Sequence, residues 1–284
     1  MQLVTDSHFL IGHAHHTAGK PCQDYALGGV QGNIAYAVVA DGCSTGGLTD
    51  VGSRTIALTT TRALKGLSRL PGVFGPGQVS LVRGDGIRQA SMILGLNPHD
   101  MLATCIYAHL SSASNSGFVH LEGDGVVAMK LRSGDIEIFR YDWADNTPFY
   151  PSYMDNPNGF IQAHGNDLTA HRLTRQHLLA KADGTFQQFT DEQIPLGRGI
   201  QGVTIPIEPP NFANIEFVAI FTDGVTQVEN VDWKTAVVDL LAFKTTEGEF
   251  AKRRMNRMVK DAQKKGHGPI DDISFSVIKL NQEG

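Results

Sequence analysis

Two short apolar runs that end at the same dipeptide constrain the fold of this chain more than any other feature. Residues 34–40 (IAYAVVA) and 217–221 (FVAIF) are unbroken apolar runs, and Asp41-Gly42 and Asp223-Gly224 follow them within two residues. Apolar runs of this length, bounded by turn residues, predict buried strands. They are far too short to span a bilayer. The fold must therefore place an acid at the end of at least two buried strands.

The order of the predicted elements excludes a doubly wound parallel sheet. Strands are predicted at residues 34–41, 101–110, 118–121, 126–131, 136–141, 216–223 and 273–280. Helical periodicity predicts helices at residues 49–67, 86–96, 233–243 and 247–265. Strands outnumber helices early and two helices come late, so the order is not βαβαβ. We expect an α+β fold in which helices pack outside antiparallel sheets.

The composition argues against several classes of protein. The three cysteines, Cys22, Cys43 and Cys105, include no C-x-x-C spacing, which argues against a disulfide scaffold or a thiolate zinc site and indicates a reducing cytoplasm. The net charge of −5 gives no general affinity for nucleic acid, and the basic stretch 252–265 fits the solvated face of a helix. The N-terminus lacks the pattern of a secretory signal. We expect a cytoplasmic protein with no nucleic-acid or membrane partner.

The domain organisation follows from length and proline content. A chain of 284 residues fits one large domain or two small ones. Residues 141–214 hold seven of the twelve prolines and are rich in Asn and Gly. We interpret this range as an inserted flap with a hairpin around residues 182–185, within a single domain covering residues 1–284.

The chain contains five Asp-Gly pairs, and an Asp-Gly pair alone is most often a turn. We assign Asp85-Gly86 to the start of a helix and Asp183-Gly184 to the hairpin turn. The other three pairs follow predicted strands, at Asp41, Asp124 and Asp223. Two further acidic elements lie at strand boundaries, Asp24 and the pair Asp271-Asp272. Carboxylates that converge from several strand ends repel one another unless a cation lies between them, and all-oxygen ligation selects Mg²⁺ or Mn²⁺.

The order of these motifs resembles the metal-dependent protein phosphatase 2C family. The motifs are Q-D at 23–24, V-A-D-G-C at 39–43, G-D-G at 123–125, T-D-G-V at 222–225 and D-D-I-S at 271–274. The resemblance spans residues 12–280, and the GKPCQD and VADGC forms look like the bacterial-type branch of the family. It implies a four-layer α-β-β-α sandwich, two packed antiparallel sheets flanked by helices. It also implies hydrolysis of phosphoserine and phosphothreonine by a metal-bridging hydroxide at a dinuclear Mg/Mn centre.

The resemblance also implies roles for individual residues. Asp41 would bridge both ions, Gly42 would offer its carbonyl, and Asp223 and Asp271 would complete the set. Asp24 would act on water molecules bound to the ions or directly on metal, so that Asp24, Asp41 and Asp223 are the implied catalytic residues. Two implied roles remain. Asp124, together with Asp223, would support a third, weaker ion, as in some members. Asp272, where the family usually has Asn, would hold a water network or cap the strand.

The chain departs from better-known members of the family at two positions. Cys43 stands where eukaryotic members often carry a histidine that could protonate the leaving group. The arginine that grips phosphate in many members is missing, and Lys20 or His16 is the candidate substitute. Cys43 could be an oxidation-sensitive switch, although a small buried residue in a tight turn is favoured. A transition-metal site at the histidines 13, 15 and 16 is a rival that we do not favour.

Three functions stay open at the level of sequence. The first is a signalling phosphatase that acts as a monomer on a phosphorylated protein. The second is a catalytically weak module that binds phosphoproteins, and the third is a phosphomonoesterase for small metabolites. The retained acids argue against the second, and the flap gives no charge bias that identifies a substrate.

Overall fold

Two antiparallel sheets organise the chain in the computed structural model, which describes residues 2–70, 74–154, 157–167, 171–195 and 201–281. The strands are β1 (Gln2–Leu10), β2 (Asp24–Gln31), β3 (Ile34–Asp41), β4 (Cys105–Ser111), β5 (Ser116–Glu122), β6 (Gly125–Leu131), β7 (Ile136–Trp143), β8 (Arg172–Ala180), β9 (Phe186–Gln188), β10 (Glu192–Pro195), β11 (Val203–Ile207), β12 (Ile215–Phe221) and β13 (Ile273–Asn281). Within the described residues, one sheet has eight strands in the order β1-β13-β12-β6-β7-β8-β10, with β9 beside β8, and the other has five in the order β11-β5-β4-β3-β2.

Helices cover the outer faces of both sheets. The helices are α1 (His13–Thr17), α2 (Thr49–Leu67), α3 (Pro76–Leu94), α4 (Pro157–His164), α5 (Pro209–Phe212), α6 (Trp233–Leu240) and α7 (Phe250–Gln263). Helices α2 and α3 lie on the five-stranded sheet, where Ile56 and Leu64 pack with Val38 and Tyr107. Helices α6 and α7 lie on the eight-stranded sheet and bury a second outer core.

The central core lies between the two sheets. Val39, Ile106 and Val119 from the smaller sheet face Val218 and Ile278 from the larger one, and all are buried. Apolar side chains thus point inward from both sheets, and alternate residues of the same strands point outward to the helices. The arrangement is the four-layer α-β-β-α sandwich, and the predicted α+β class is confirmed.

Two of the sequence predictions about this fold were wrong. Asp85-Gly86 does not start a helix but lies inside α3, which begins at Pro76. Only Val79 and Arg83 of α3 are buried, so the helix has no apolar stripe by which its first half could be recognised. The strand predicted at residues 101–110 begins only at Cys105, and Met101 instead ends a 3-10 turn at Pro98–Met101.

The sequence analysis also missed β1, β2 and α1. Strands β1 and β2 are edge strands, each the last in its sheet, and most of their residues are half-buried, so neither is an unbroken apolar run. Helix α1 has five residues, which is too short for a periodicity to show.

Residues 141–214, predicted as a flap, contribute strands to both sheets. Strands β8 and β10 extend the larger sheet, and β11 pairs with β5 in the smaller one. The predicted hairpin is formed by β8 and β9. Along the chain, α4 and two 3-10 turns lie between β7 and β8. The assignment of the whole chain to one domain stays a prediction. Each helix among the described residues is too short or too polar to cross a bilayer.

Candidate metal centre

An acidic cleft of about 710 Å³ opens at one end of the sandwich. Five aspartates from five different strand ends line it: Asp41, Asp124, Asp142, Asp223 and Asp271. Of the predicted metal ligands, the structure therefore brings together the acids at 41, 124, 223 and 271, with Gly42 beside them. A rigid sheet edge holds each carboxylate, so their convergence is built into the strand order rather than into a mobile loop.

Asp24 lies directly behind this cleft. It pairs with Asp41 across the antiparallel strands β2 and β3, and it is only 1% exposed. The hydroxyl of Thr222 donates to Asp24 Oδ2 at 2.6 Å. Asp24 Oδ1 is buried and has no hydrogen-bond partner among the described residues. An unpartnered carboxylate oxygen in the interior needs a proton or a cation.

The turn after β3 tolerates no side chain at Gly42. A Cβ at this position would lie 2.5 Å from the carbonyl oxygen of Thr49, at the start of α2. Thr104 fixes the neighbouring acid, because its N–H donates to the Asp41 carbonyl at 2.8 Å and its hydroxyl accepts from the Asp41 N–H at 3.2 Å. The Asp-Gly pair therefore lets α2 pack closely while Asp41 faces the cleft.

A second close approach brings Asp223 next to Asp271. A Cβ at Gly224 would lie 1.8 Å from the carbonyl oxygen of Asp272, so only glycine permits this contact. The side-chain amide of Gln227 donates to Asp223 Oδ2 at 2.9 Å and orients that carboxylate. The glycines after Asp41 and Asp223 thus serve packing, which the sequence analysis did not foresee.

The carboxylates of the cleft repel one another when no cation lies between them, and their pKa values are raised. Burial raises the pKa of Asp24 to about 8. Desolvation, followed by the charges of Asp24 and Asp223, raises the pKa of Asp41 well above its usual range. Desolvation and the charge of Asp223 raise the pKa of Asp124 well above its usual range. Desolvation and the charge of Asp271 raise the pKa of Asp223. Each carboxylate is held close to others with too little positive charge to compensate.

These properties fit a site for hard divalent cations. The donors are carboxylate oxygens, with no cysteine or histidine required, which selects Mg²⁺ or Mn²⁺ over zinc and copper. Oδ1 of Asp24 has no hydrogen-bond partner among the described residues, and the pKa values of the cluster are raised. Both features are expected of a site that binds cations. Asp24, Asp41, Asp223 and Asp271, with the carbonyl of Gly42, are the residues that could hold such ions.

Hydrogen bonds of the Asp272 side chain connect three segments of the chain. Its Oδ1 accepts from the Gly12 N–H at 2.7 Å, and its Oδ2 accepts from the Gln23 N–H at 2.6 Å. Nδ1 of His15 lies 2.9 Å from the same Oδ2. His15, Asp271 and Asp272 offer ligand atoms within 4.8 Å of one another, but both oxygens of Asp272 are already engaged. We therefore interpret Asp272 as the anchor that positions Asp24 and Asp271, and not as a ligand.

The two candidate phosphate-binding residues lie outside the lining of the cleft. Lys20 is exposed, and its Nζ donates to the carbonyl of Ser44 at 3.2 Å, at the edge of the cleft. His16 lines a different cavity, of about 550 Å³, between α1 and the end of α7. His15 and His16 lie on a helix rather than a strand. Of the three neighbouring histidines, only His15 therefore belongs to the surroundings of the acids.

The sequence analysis missed several residues of the cleft, among them Arg140, Asp142 and Tyr150, and also Thr104 and Gln227. Burial, followed by the Cys43 side chain, raises the pKa of Tyr150, so its hydroxyl keeps its proton at neutral pH. Arg140 and Asp142 lie on β7 within FRYDW, which contains no Asp-Gly pair. Their only signal in the sequence was an alternation of charged and apolar residues at the end of a strand.

Comparison with known proteins identifies the family of this architecture. A family model described as protein phosphatase 2C matches residues 11–262. The serine/threonine phosphatase Stp1 from Staphylococcus aureus is similar in structure, with a TM-score of 0.56 and 13% identity over 99% of this chain and 96% of that chain. The serine/threonine phosphatase PstP/Ppp from Mycobacterium tuberculosis has a TM-score of 0.53 and 13% identity, covering 99% and 100%. At these identities the structures show the fold. No curated protein matches the chain.

Proposed function

The chain belongs to the protein phosphatase 2C family, and from this premise we propose that it hydrolyses phosphoserine and phosphothreonine in proteins at a dinuclear Mg²⁺ or Mn²⁺ centre. The enzyme class predicted from sequence, a protein serine/threonine phosphatase, agrees with the family. One observation carries the proposal: Asp41, Asp223 and Asp271 converge on one cleft, and behind them lies Asp24, whose Oδ1 has no hydrogen-bond partner among the described residues.

The ions supply the activated water and most of the stabilisation of the phosphoryl charge when they are bound. The contribution of the chain is to hold the ligands in place. Thr222 orients the Asp24 carboxylate and Gln227 orients that of Asp223, each through one hydrogen bond. We assign Asp41, Asp223 and Asp24 as the residues on which turnover depends, with Asp271 and the Gly42 carbonyl as further ligands.

Neutral donors and a nearby lysine line the approach of the substrate. The Tyr150 hydroxyl, which keeps its proton, lines the cleft and is a hydrogen-bond donor for a phosphoryl oxygen or the leaving oxygen. The ammonium of Lys20, held at Ser44, would attract phosphate as a point charge at the edge of the cleft. His16 has no part in this role because it lines another cavity.

A phosphorylated protein is the partner that we propose. The cleft opens to the surface between the sheets and the segment that carries Pro148 and Tyr150. A phosphorylated side chain can enter while its main chain stays outside. The single domain with its flap, the monomeric state and the cytoplasmic location stay predictions.

The experiment that tests the proposal measures hydrolysis of p-nitrophenyl phosphate and of a phosphothreonine peptide. Pure protein is assayed with EDTA, Mg²⁺, Mn²⁺ or Ca²⁺, beside Asp223→Asn and, as a matched control, the exposed acid variant Asp191→Asn. We expect turnover only with Mn²⁺ or Mg²⁺, lost in Asp223→Asn and unchanged in Asp191→Asn.

Each other outcome identifies a different function. Equal rates in wild type and Asp223→Asn would refute the dinuclear centre. Tight binding of the phosphopeptide without product would favour a phosphoprotein-binding module. Turnover of small phosphomonoesters without turnover of any phosphopeptide would favour the metabolite phosphatase.

A further inference from the structure

Arg140 stands alone in the acidic cleft. Among the described residues that line it, Arg140 is the one cationic side chain, beside five aspartates. It lies on β7, and its side chain is about one-quarter exposed. A single guanidinium among so many carboxylates is a feature of this chain that the function proposed above does not use.

The guanidinium is held in one orientation. Arg140 forms an ion pair with Asp142: its Nε lies 2.7 Å from Asp142 Oδ2, and its Nη2 donates a hydrogen bond to Asp142 Oδ1 at 2.9 Å. The guanidinium carbon lies 5.2 Å from the centre of the Trp233 ring, at the start of α6. Because one of its N–H groups binds Asp142 and its ring contact is with Trp233, the guanidinium is oriented towards these two partners.

The strand register places this pair against Asp124. Arg140 pairs with Val126, and Tyr141 pairs with Gly125. Arg140 and Asp142 are two apart on β7 and so share one face of the sheet. Asp124 directly precedes β6 and lines the same cleft. Burial and then the charges of Asp223 and Asp142 raise the pKa of Asp124 well above its usual range, and the charge of Arg140 opposes this rise.

We propose that Arg140 is the built-in cation of the Asp124 side of the cleft, so that the native protein binds two divalent ions and no third ion at Asp124. The inference rests on the proposed function, because it presupposes the ions held by Asp41, Asp223 and Asp271. Without Arg140, Asp124 and Asp142 would face each other as two uncompensated carboxylates of the kind that hold Mg²⁺ or Mn²⁺.

The test counts bound Mn²⁺ per chain, from the electron paramagnetic resonance signal of free Mn²⁺ during a titration at fixed pH. We expect two ions in wild type and three in Arg140→Gln. Arg140→Lys, which keeps the charge, should bind two. In the double variant Arg140→Gln/Asp124→Asn the added ion should be lost again. Near-ultraviolet circular dichroism of each variant checks that the fold is intact.

The outcomes separate this inference from the function on which it rests. Three ions in wild type, or no added ion in folded Arg140→Gln, would overturn the role of Arg140 and leave the dinuclear centre standing. No ion in wild type would overturn both. A rise in KM for phosphopeptide in Arg140→Gln, with an unchanged count of ions, would show that the arginine binds substrate instead. The count in wild type is decisive even if Arg140→Gln does not fold.

Discussion

Replacing Asp24 with asparagine should stabilise the metal-free protein at neutral pH while abolishing its response to metal. The carboxyl of Asp24 is 1% exposed and has an unpartnered oxygen. Asparagine is nearly isosteric, and its Oδ1 can accept the same hydrogen bond from Thr222. The substitution therefore removes an ionisable group from the interior and leaves the packing unchanged.

The magnitude follows from the pKa of Asp24, which burial raises from 3.8 to about 8. Well below pH 3.8 the acid is protonated in both the folded and the unfolded chain, and it does not lower the stability. As pH rises towards 8, the unfolded chain releases the proton that the folded chain retains, so the wild type loses stability at about 1.4 kcal/mol per pH unit. The interval from 3.8 to 7 corresponds to about 4 kcal/mol, and sharing of the titration with Asp41 reduces this to about 2–4 kcal/mol.

The assay is urea unfolding of the EDTA-treated proteins at pH 7 and at pH 4. Asp24→Asn should have the higher free energy of unfolding at pH 7, by about 2–4 kcal/mol, and the difference should fall to about 0.5 kcal/mol at pH 4. Mn²⁺ at about a hundred times its dissociation constant should stabilise the wild type by about 2.7 kcal/mol, and the variant much less. Asp191→Asn is the control for a change of net charge. A variant that is no more stable than wild type at pH 7, or equally stabilised at both pH values, would refute the reasoning.

Two further substitutions test the packing that supports the cleft. Arg83 and Glu122 form a buried two-pronged ion pair next to the Asp124 turn. Arg83→Met should therefore lower the free energy of unfolding in urea by about 3–5 kcal/mol, and Arg83→Met/Glu122→Leu should restore most of that loss. Equal losses in the two variants would contradict this. Gly42→Ala should destabilise the protein by about 1–3 kcal/mol and weaken Mn²⁺ binding in thermal-shift titrations, because its Cβ would meet the Thr49 carbonyl. Gly77→Ala, inside α3 with open space around it, is the control and should change neither.

Sequence patterns predicted the acids that follow buried strands. An apolar run that ends at Asp-Gly indicates a buried strand whose end carries a carboxylate. Local sequence was therefore enough to place Asp41 and Asp223 at strand ends. The order of the motifs then placed Asp271 and Asp24 by resemblance. In the structure all four lie at one end of the sandwich.

The residues that the sequence analysis missed depend on pairing between distant segments. Asp142 reaches the cleft because of the register of β6 and β7, and no local pattern encodes a register that is set by the whole sheet. His15 rather than His16 faces the acids because a five-residue helix turns one histidine inward and its neighbour outward. Lys20 was chosen by proximity in sequence, which does not decide which groups line a cavity.

The anchoring of Gly12 and Gln23 to Asp272 has a consequence for how the protein is made. Asp24 and Asp41 leave the ribosome early, whereas Asp271, Asp272 and strand β13, which lies between β1 and β12, are synthesised late. Contacts between residues so far apart in sequence form slowly and only once both partners exist. A nascent chain therefore carries Asp24 and Asp41 before Asp271 and Asp272 exist, and the acidic cleft is complete only once the residues of β13 have been made.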